Sequence, residues 1–196
     1  MEAIESPSAQ DSSPEAQASI LINRKVKETQ DRGSVSHRDL AKRIEEDVEE
    51  QETSNELVSR YVTSLRGFHH GAVITTLPEG VGGQFDGSSV EIAAQTVSVE
   101  NGDVSHTIAQ MEEVNRHEAY HALHHHTEVV VSEDSPISVI LADEGLKTEE
   151  FIEGLTVAQT GNQFVSEEYR QYERAVRSGV RRAGITLEEA EQAIAA

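Results

Sequence analysis

Hydrophobic positions recur with the period of a helix through the first third of the chain. Near the start of the segment SVSHRDLAKRIEEDVEE, Ser36 lies three residues ahead of Asp39, a spacing typical of a capping box. Hydrophobic residues follow at helical intervals, and a second run repeats the period: Leu40, Ile44 and Val48, then Leu57, Val58, Tyr61, Val62 and Leu65. This spacing predicts two helices, each with one buried face.

The pattern changes in the middle of the chain, over residues 72–103. This stretch is rich in β-branched residues, is interrupted by Gly, Pro and Asn-Gly turns, and alternates around Val90 and Ile92. It predicts a small antiparallel or mixed sheet. The segment SSVEIAAQT, residues 88–96, is either an edge strand, to which an extended peptide could add by main-chain hydrogen bonds, or an interior strand.

The helical period returns in the second half of the chain. One helix is predicted from about Ser105 to His125, and another from Thr148 to Gly161, where a glycine stop is expected. The loop between them contains Pro136, and two more helices follow over residues 166–196. The order of helices, sheet and helices predicts an α+β fold rather than alternating βαβ units.

The chain is predicted to form one domain with a tail. Residues 1–18 are rich in Ser, Pro, Glu, Gln and Ala, a composition typical of a disordered segment. Residues 19–196 are long enough to bury a core of their own and predict a single domain. The segment SILINRKV, residues 19–26, fits either a short strand or the start of a helix.

Composition excludes several classes of partner. Lys+Arg 16 against Asp+Glu 36 gives a formal net charge of -20, which repels phosphate backbones and anionic membranes. No stretch approaches the ~20 apolar residues of a membrane span. The chain has no cysteine, which excludes disulfides and cysteine-ligated zinc. The sequence therefore predicts a cytoplasmic protein without a nucleic-acid or membrane partner, and leaves its oligomeric state open.

The candidate chemistry lies in NRHEAYHALHHHTE, residues 115–128. His117 and His121 are four residues apart on the predicted helix, so their directions differ by about 40° and both rings can reach one ion. Glu118 lies beside them, as in the H-E-x-x-H zinc motif, where this glutamate is the general base. Zinc lowers the pKa of a bound water to about 7, and the glutamate accepts the proton.

Spacing excludes several other histidine sites. A metzincin requires Gly at position 124 and His at 127, where the chain has His124 and Thr127. A peptide deformylase requires a cysteine ligand, and a di-iron bundle requires two Glu-x-x-His pairs, of which only Glu118 to His121 is found. The remaining alternatives are a zinc site whose third ligand is a downstream His, Asp or Glu, and a crowded helix that binds no metal.

Two Glu-Gly-Leu segments offer the third ligand, at Glu144 and Glu153. Glu153 is followed by Gly154 inside a predicted helix, where glycine costs about 1 kcal/mol relative to alanine. Such a glycine indicates another backbone passing close by, and a close contact with the histidine helix would bring Glu153 to the zinc. Glu144 follows Asp143 in or near a loop and remains the alternative ligand.

With HEAYH on one helix and IEGLTVAQTG on another, residues 72–196 resemble the gluzincin metallopeptidases, in particular the small members called minigluzincins. The resemblance implies a zincin-like fold in which a small sheet packs on an active-site helix and a glutamate helix. It implies Zn²⁺ as cofactor, with His117, His121 and Glu153 as ligands. It also implies Glu118 as catalytic base and a peptide or protein as substrate.

The resemblance is incomplete. Larger gluzincins stabilise the oxyanion with a Tyr or His, and Tyr169 and Tyr172 are candidates here only by position after the glutamate helix. The histidine run at residues 124–126 matches no role in the family. Two interpretations therefore stand beside an active zinc endopeptidase: a latent or inactive zincin-fold protein with a structural or regulatory zinc site, and an acidic helical scaffold with an accidental motif.

Overall fold

The computed structural model describes residues 13–50, 55–124 and 131–195, and over these ranges the fold is α+β, as predicted. The helices are α1 Pro14–Gln30, α2 His37–Glu50, α3 Glu56–Arg66, α4 Ala94–Val97, α5 Val104–His124, α6 Pro136–Glu144, α7 Thr148–Thr160, α8 Glu167–Ala183 and α9 Leu187–Ala195. The strands are β1 Val35–Ser36, β2 Val73–Thr75, β3 Gly83–Phe85 and β4 Val90–Ala93.

The sheet is mixed, with strand order β1-β2-β4-β3. β2 and β4 pair in parallel, whereas β1 pairs with β2 and β3 with β4 in antiparallel fashion. β4 is therefore an interior strand, and the hypothesis that residues 88–96 form a substrate-binding edge is wrong. Val90, Ile92 and Ala93 are all buried, which suits a central position, and residues from Ala94 onward turn into α4.

Helix α1 begins at Pro14, so the predicted tail boundary at residue 18 is wrong over its last residues. Ser13 Oγ accepts a hydrogen bond from the Ala16 N–H at 3.2 Å, and proline suits the first helical turn because it has no N–H to satisfy. Residues 19–26 belong to this helix and do not form a strand, and Leu21, Ile22 and Val26 are buried. The tail predicted for residues 1–12 lies outside the described residues.

Helix α6 replaces a loop predicted around Pro136. Ser135 Oγ accepts a hydrogen bond from the Ile137 N–H at 3.2 Å, Pro136 occupies the first helical turn, and Gly145 ends the helix at φ 66. The predicted cap of α2 is confirmed in part: Asp39 N–H donates to Ser36 Oγ at 3.0 Å, and the Ser36 hydroxyl donates to the Asp39 carboxylate at 2.8 Å. Serine side chains thus cap the first turns of α1, α2 and α6.

An ion-pair cluster joins α1 to α2. Asp47 contacts Arg24, and its carboxylate is 3.1 Å from Lys25 Nζ. Burial raises the pKa of Asp47, but hydrogen bonds from Lys25 and Arg24 outweigh it and lower the pKa below its ordinary value. The cluster therefore favours the ionised carboxylate.

The buried side chains form two separate hydrophobic cores. The first core lies among α1 to α5 and the sheet, with Ile22, Leu40 and Met111 fully buried. The second lies among α6 to α9, with Ile137, Phe151 and Leu155 fully buried. Within the described ranges α5 and α7 make the most extensive contact between the two. No helix in that part of the chain is long and apolar enough to cross a membrane.

Candidate metal centre

The histidines occupy the side of α5 that faces the second core. Val114 and Met111 of α5 are buried in the first core, and one turn later the buried positions are His117 and His121, only 4% and 8% exposed. Their rings meet edge to face with centroids 4.9 Å apart. The helical spacing therefore places both imidazoles on one buried face, as the sequence predicts.

Glu153 of α7 completes a compact group with the two histidines. Its Oε2 is 3.2 Å from His117 Nε2 and 3.4 Å from His121 Nε2, and the two Nε2 atoms are 3.2 Å apart. Burial raises the pKa of Glu153, but hydrogen bonds with His117 and His121 outweigh it and hold the pKa at about 2. The carboxylate is thus held ionised and aimed at both rings.

The alternative ligand, Glu144, lies elsewhere. It is the last residue of α6, and its Oε1 is 2.8 Å from an Arg182 guanidinium nitrogen. Its side chain also packs near Gly179 of α8, within the layer of helices that forms the second core. The structure therefore brings Glu153, and not Glu144, to the histidines.

Gly154 does mark a close helix contact, but the partner helix is not the predicted one. A Cβ added at Gly154 would lie 2.6 Å from the backbone carbonyl of Tyr172, in α8. The expectation that this glycine brings α7 against the histidine helix is wrong. Gly154 instead lets α7 and α8 pack tightly. This packing holds the α7 backbone in place next to Glu153.

Glu118 lies beside the group, under the edge strand β3. It is 8% exposed, and burial raises its pKa to about 7, with His121 lowering it and Glu153 raising it further. A Cβ added at Gly83 of β3 would lie 2.9 Å from Glu118 Cγ. The missing side chain at Gly83 therefore lets the strand pass directly over this carboxylate.

No protein-family model, curated protein or solved structure gives a significant match to this chain. The case for a function therefore depends on the geometry and chemistry of the site itself.

The donor set suits a zinc ion. Within the described residues, His117, His121 and Glu153 are the group of possible ligands whose donor atoms converge, all within 4.8 Å of one another. Two imidazole nitrogens and one carboxylate oxygen are zinc ligands, and three protein ligands leave a position for water, as in catalytic rather than structural sites. The residues present therefore fit the ion that the sequence predicts.

Of the two tyrosines considered from the sequence, only Tyr169 reaches the site. Its ring stacks on His117 with centroids 6.2 Å apart, and burial raises its pKa to about 12, with Glu153 and Glu118 adding to the shift. The Tyr172 hydroxyl instead donates to Glu168 at 2.6 Å. Tyr169 is therefore the tyrosine that lies beside His117, His121 and Glu153, the candidate metal group.

The site opens into a cleft of about 730 Å³. Its walls are β3 with the preceding loop, α5, α7, the loop of residues 162–166 and the first turn of α8. Three acidic residues that line it are not predicted by any sequence pattern: Glu79, Glu149 and Glu168. Each lies on a different segment, so no local pattern groups them.

His124, the one histidine of the run that the structure describes, does not join the group. His124 Nδ1 is 2.5 Å from Glu191 Oε1 of α9, and its ring stacks on Tyr120 at 4.4 Å. This pair links the end of α5 to the second core. The predictions for residues 125 and 126 lie outside the described residues.

Proposed function

We propose that this protein is a zinc-dependent metallopeptidase of the gluzincin type. The observation that carries the proposal is the convergence of His117, His121 and Glu153, with Glu118 buried beside them, in a cleft bordered by an edge strand. An H-E-x-x-H helix and a separate glutamate helix meeting in this way support a zincin-like arrangement of sheet, active-site helix and glutamate helix. The proposed location remains the cytoplasm.

Each residue has a role that its position supports. When bound by the three ligands, zinc supplies the Lewis acidity that makes water a nucleophile near neutral pH. Glu118 would accept a proton from the attacking water, since its carboxylate is buried next to the ligands and lines the same cleft. Tyr169 remains protonated with a pKa near 12 and would donate a hydrogen bond to the developing oxyanion.

The substrate would bind along β3. One edge of β3 pairs with β4, and within the described residues no strand pairs with the other edge. β3 also lines the cleft that contains Glu118. An extended peptide added to this edge would pass over the metal group with its main chain held by hydrogen bonds.

A second function is favoured by one observation. The ligands come from α5 and α7, which belong to different hydrophobic cores. A zinc ion held between them would join the two cores whether or not it catalysed a reaction. The alternative is therefore a latent or inactive protein in which zinc has a structural or regulatory role.

The first test is the zinc content and affinity of untagged protein. We expect one zinc ion per chain, lost in His117→Ala and in Glu153→Ala. Glu144→Ala is the matched control, because it removes the other candidate glutamate and leaves the group intact. Protein without stoichiometric zinc, or zinc that survives both ligand changes, would refute the site.

The second test separates the two functions. Glu118→Gln removes the base but none of the ligands, so zinc affinity should be kept while peptide turnover falls about 10²- to 10⁴-fold. Undiminished cleavage by this variant would contradict the role of Glu118. Zinc-dependent stability with no cleavage of any peptide by the wild type would favour the structural role.

A further inference from the structure

The cleft around the metal group carries a uniform negative charge. Among the residues that the structure describes, five glutamates and no lysine or arginine line it: Glu79, Glu118, Glu149, Glu153 and Glu168. Glu118 and Glu153 belong to the metal group, and together they would balance the two positive charges of a zinc ion. The sign of the charge that a substrate meets is therefore set by the other three, which we call the outer glutamates.

The outer glutamates have no cation among the described residues. Neither Glu79 nor Glu149 forms an ion pair there, and Glu168 accepts a hydrogen bond only from the neutral Tyr172 hydroxyl. All three are exposed, so their carboxylates remain in water and cost little to keep charged.

The nearby cations are held by other acids. Lys147 lies 3.8 Å from Glu150, the neighbour of Glu149, and Arg174 lies 2.5 Å from Glu167, the neighbour of Glu168. Arg170 pairs in the same way with Glu173, at 3.1 Å. On α7 and on α8, the acid next to the outer glutamate pairs with the cation. The outer glutamate itself has no cationic partner among the described residues.

We propose that the outer glutamates select peptides with lysine or arginine side chains flanking the cleaved bond. This inference depends on the proposed function, because it assigns the substrate class of the same cleft. A cationic side chain entering from solvent would meet three unpaired carboxylates on three walls of the cleft. An acidic side chain would meet only like charges, which penalises it in addition.

The expected size of the effect follows from exposed charges. A lysine about 6 Å from one carboxylate in water gains about a threefold preference over a neutral side chain, and screening at 0.05 M salt reduces this to about twofold. Three carboxylates acting together therefore give on the order of tenfold. Because these charges are exposed, the preference should shrink as salt is raised from 0.05 to 0.5 M, where the Debye length falls to about 4 Å.

The test uses the zinc-loaded full chain and three fluorescent peptides on one scaffold, with two Lys, two Gln or two Glu flanking the central residues. Cleavage is measured with the wild type, and binding with Glu118→Gln, so that affinity is measured without turnover. A triple variant, Glu79→Gln, Glu149→Gln and Glu168→Gln, removes the outer charges. Its control has the same net charge and lies on exposed surface outside the cleft: Glu100→Gln, Glu112→Gln and Glu188→Gln.

We expect the Lys peptide to be bound and cleaved on the order of tenfold better than the Gln peptide, and the Glu peptide less well than either, with the preference lost in the triple variant and kept in its control. Cleavage of all three peptides at equal rates would overturn the inference and leave the proposed function standing. Selective binding of the Lys peptide without any cleavage would support the charge selection and refute the peptidase. A preference equally reduced by both triple variants would show that net charge alone is responsible, which overturns the inference.

Discussion

Replacing Gly154 with alanine sets two effects of opposite sign against each other. Alanine is favoured over glycine inside a helix by about 1 kcal/mol, so propensity alone predicts a more stable protein. The new Cβ, however, would lie 2.6 Å from the backbone C and O of Tyr172 and 2.8 Å from Val176 Cγ2. Because two of these atoms belong to the backbone of α8, rotation of a side chain cannot relieve the contact.

The steric effect should be the larger one. Overpacking of a core costs about 1–3 kcal/mol, and a contact with rigid backbone belongs at the upper end of that range. After subtraction of the propensity gain we expect a net loss of about 2 kcal/mol in the free energy of unfolding. For a chain of this size that corresponds to a fall in Tm of about 4–8 °C.

The same change should weaken the proposed zinc binding. Separating α7 from α8 moves the backbone next to Glu153, whose carboxylate lies 3.2 Å from His117 Nε2. Urea unfolding of the metal-free protein measures the first effect, and competition with a chelator measures zinc affinity. Ala158→Gly is the control, since it changes helix propensity on α7 without adding an atom. A Gly154→Ala protein as stable as the wild type would refute the reasoning.

Two further predictions concern β3 and α2. Gly83→Ala places a Cβ 2.9 Å from Glu118 Cγ, so we expect peptide turnover to fall at least tenfold while zinc affinity is kept. Gly82→Ala is the control in the same assays, because its Cβ would make only contacts of 3.4 Å or more. Equal losses of turnover in both variants would contradict this role of Gly83. The lowered pKa of Asp47 means that its stabilisation is present above its ordinary pKa of about 3.9 and is lost as pH falls through the lowered value. Urea midpoints should therefore favour wild type over Asp47→Asn at pH 7 and converge toward pH 2, and a constant difference would show that the charge is not responsible.

Local patterns predicted the helices that carry the metal group. The period of the hydrophobic residues and the i, i+4 spacing of His117 and His121 are properties of one helix, so the sequence alone contains them. Gly154 indicates a close helix contact next to Glu153, but the contact is with α8 and not with the histidine helix. Choosing between Glu153 and Glu144 required knowing which helices are neighbours, and that is a property of the tertiary fold.

The sheet was harder to predict for the same reason. Turn residues indicate hairpins between consecutive strands, whereas β4 pairs in parallel with β2, from which it is separated by β3 in the chain. Nothing local to residues 88–96 distinguishes this interior strand from an edge. The outer glutamates were missed because they come from the loop before β3 and from the first turns of α7 and α8.

The division into two cores has a consequence for the dynamics of the protein. Any fluctuation that separates α5 from α7 must first pull Glu153 away from the histidines, so bound zinc would protect both helices from amide hydrogen exchange together. By mass action, each tenfold rise in free zinc above its Kd would make such openings about ten times rarer. The supply of zinc in the surroundings would thus set the fraction of molecules that are open between their two cores.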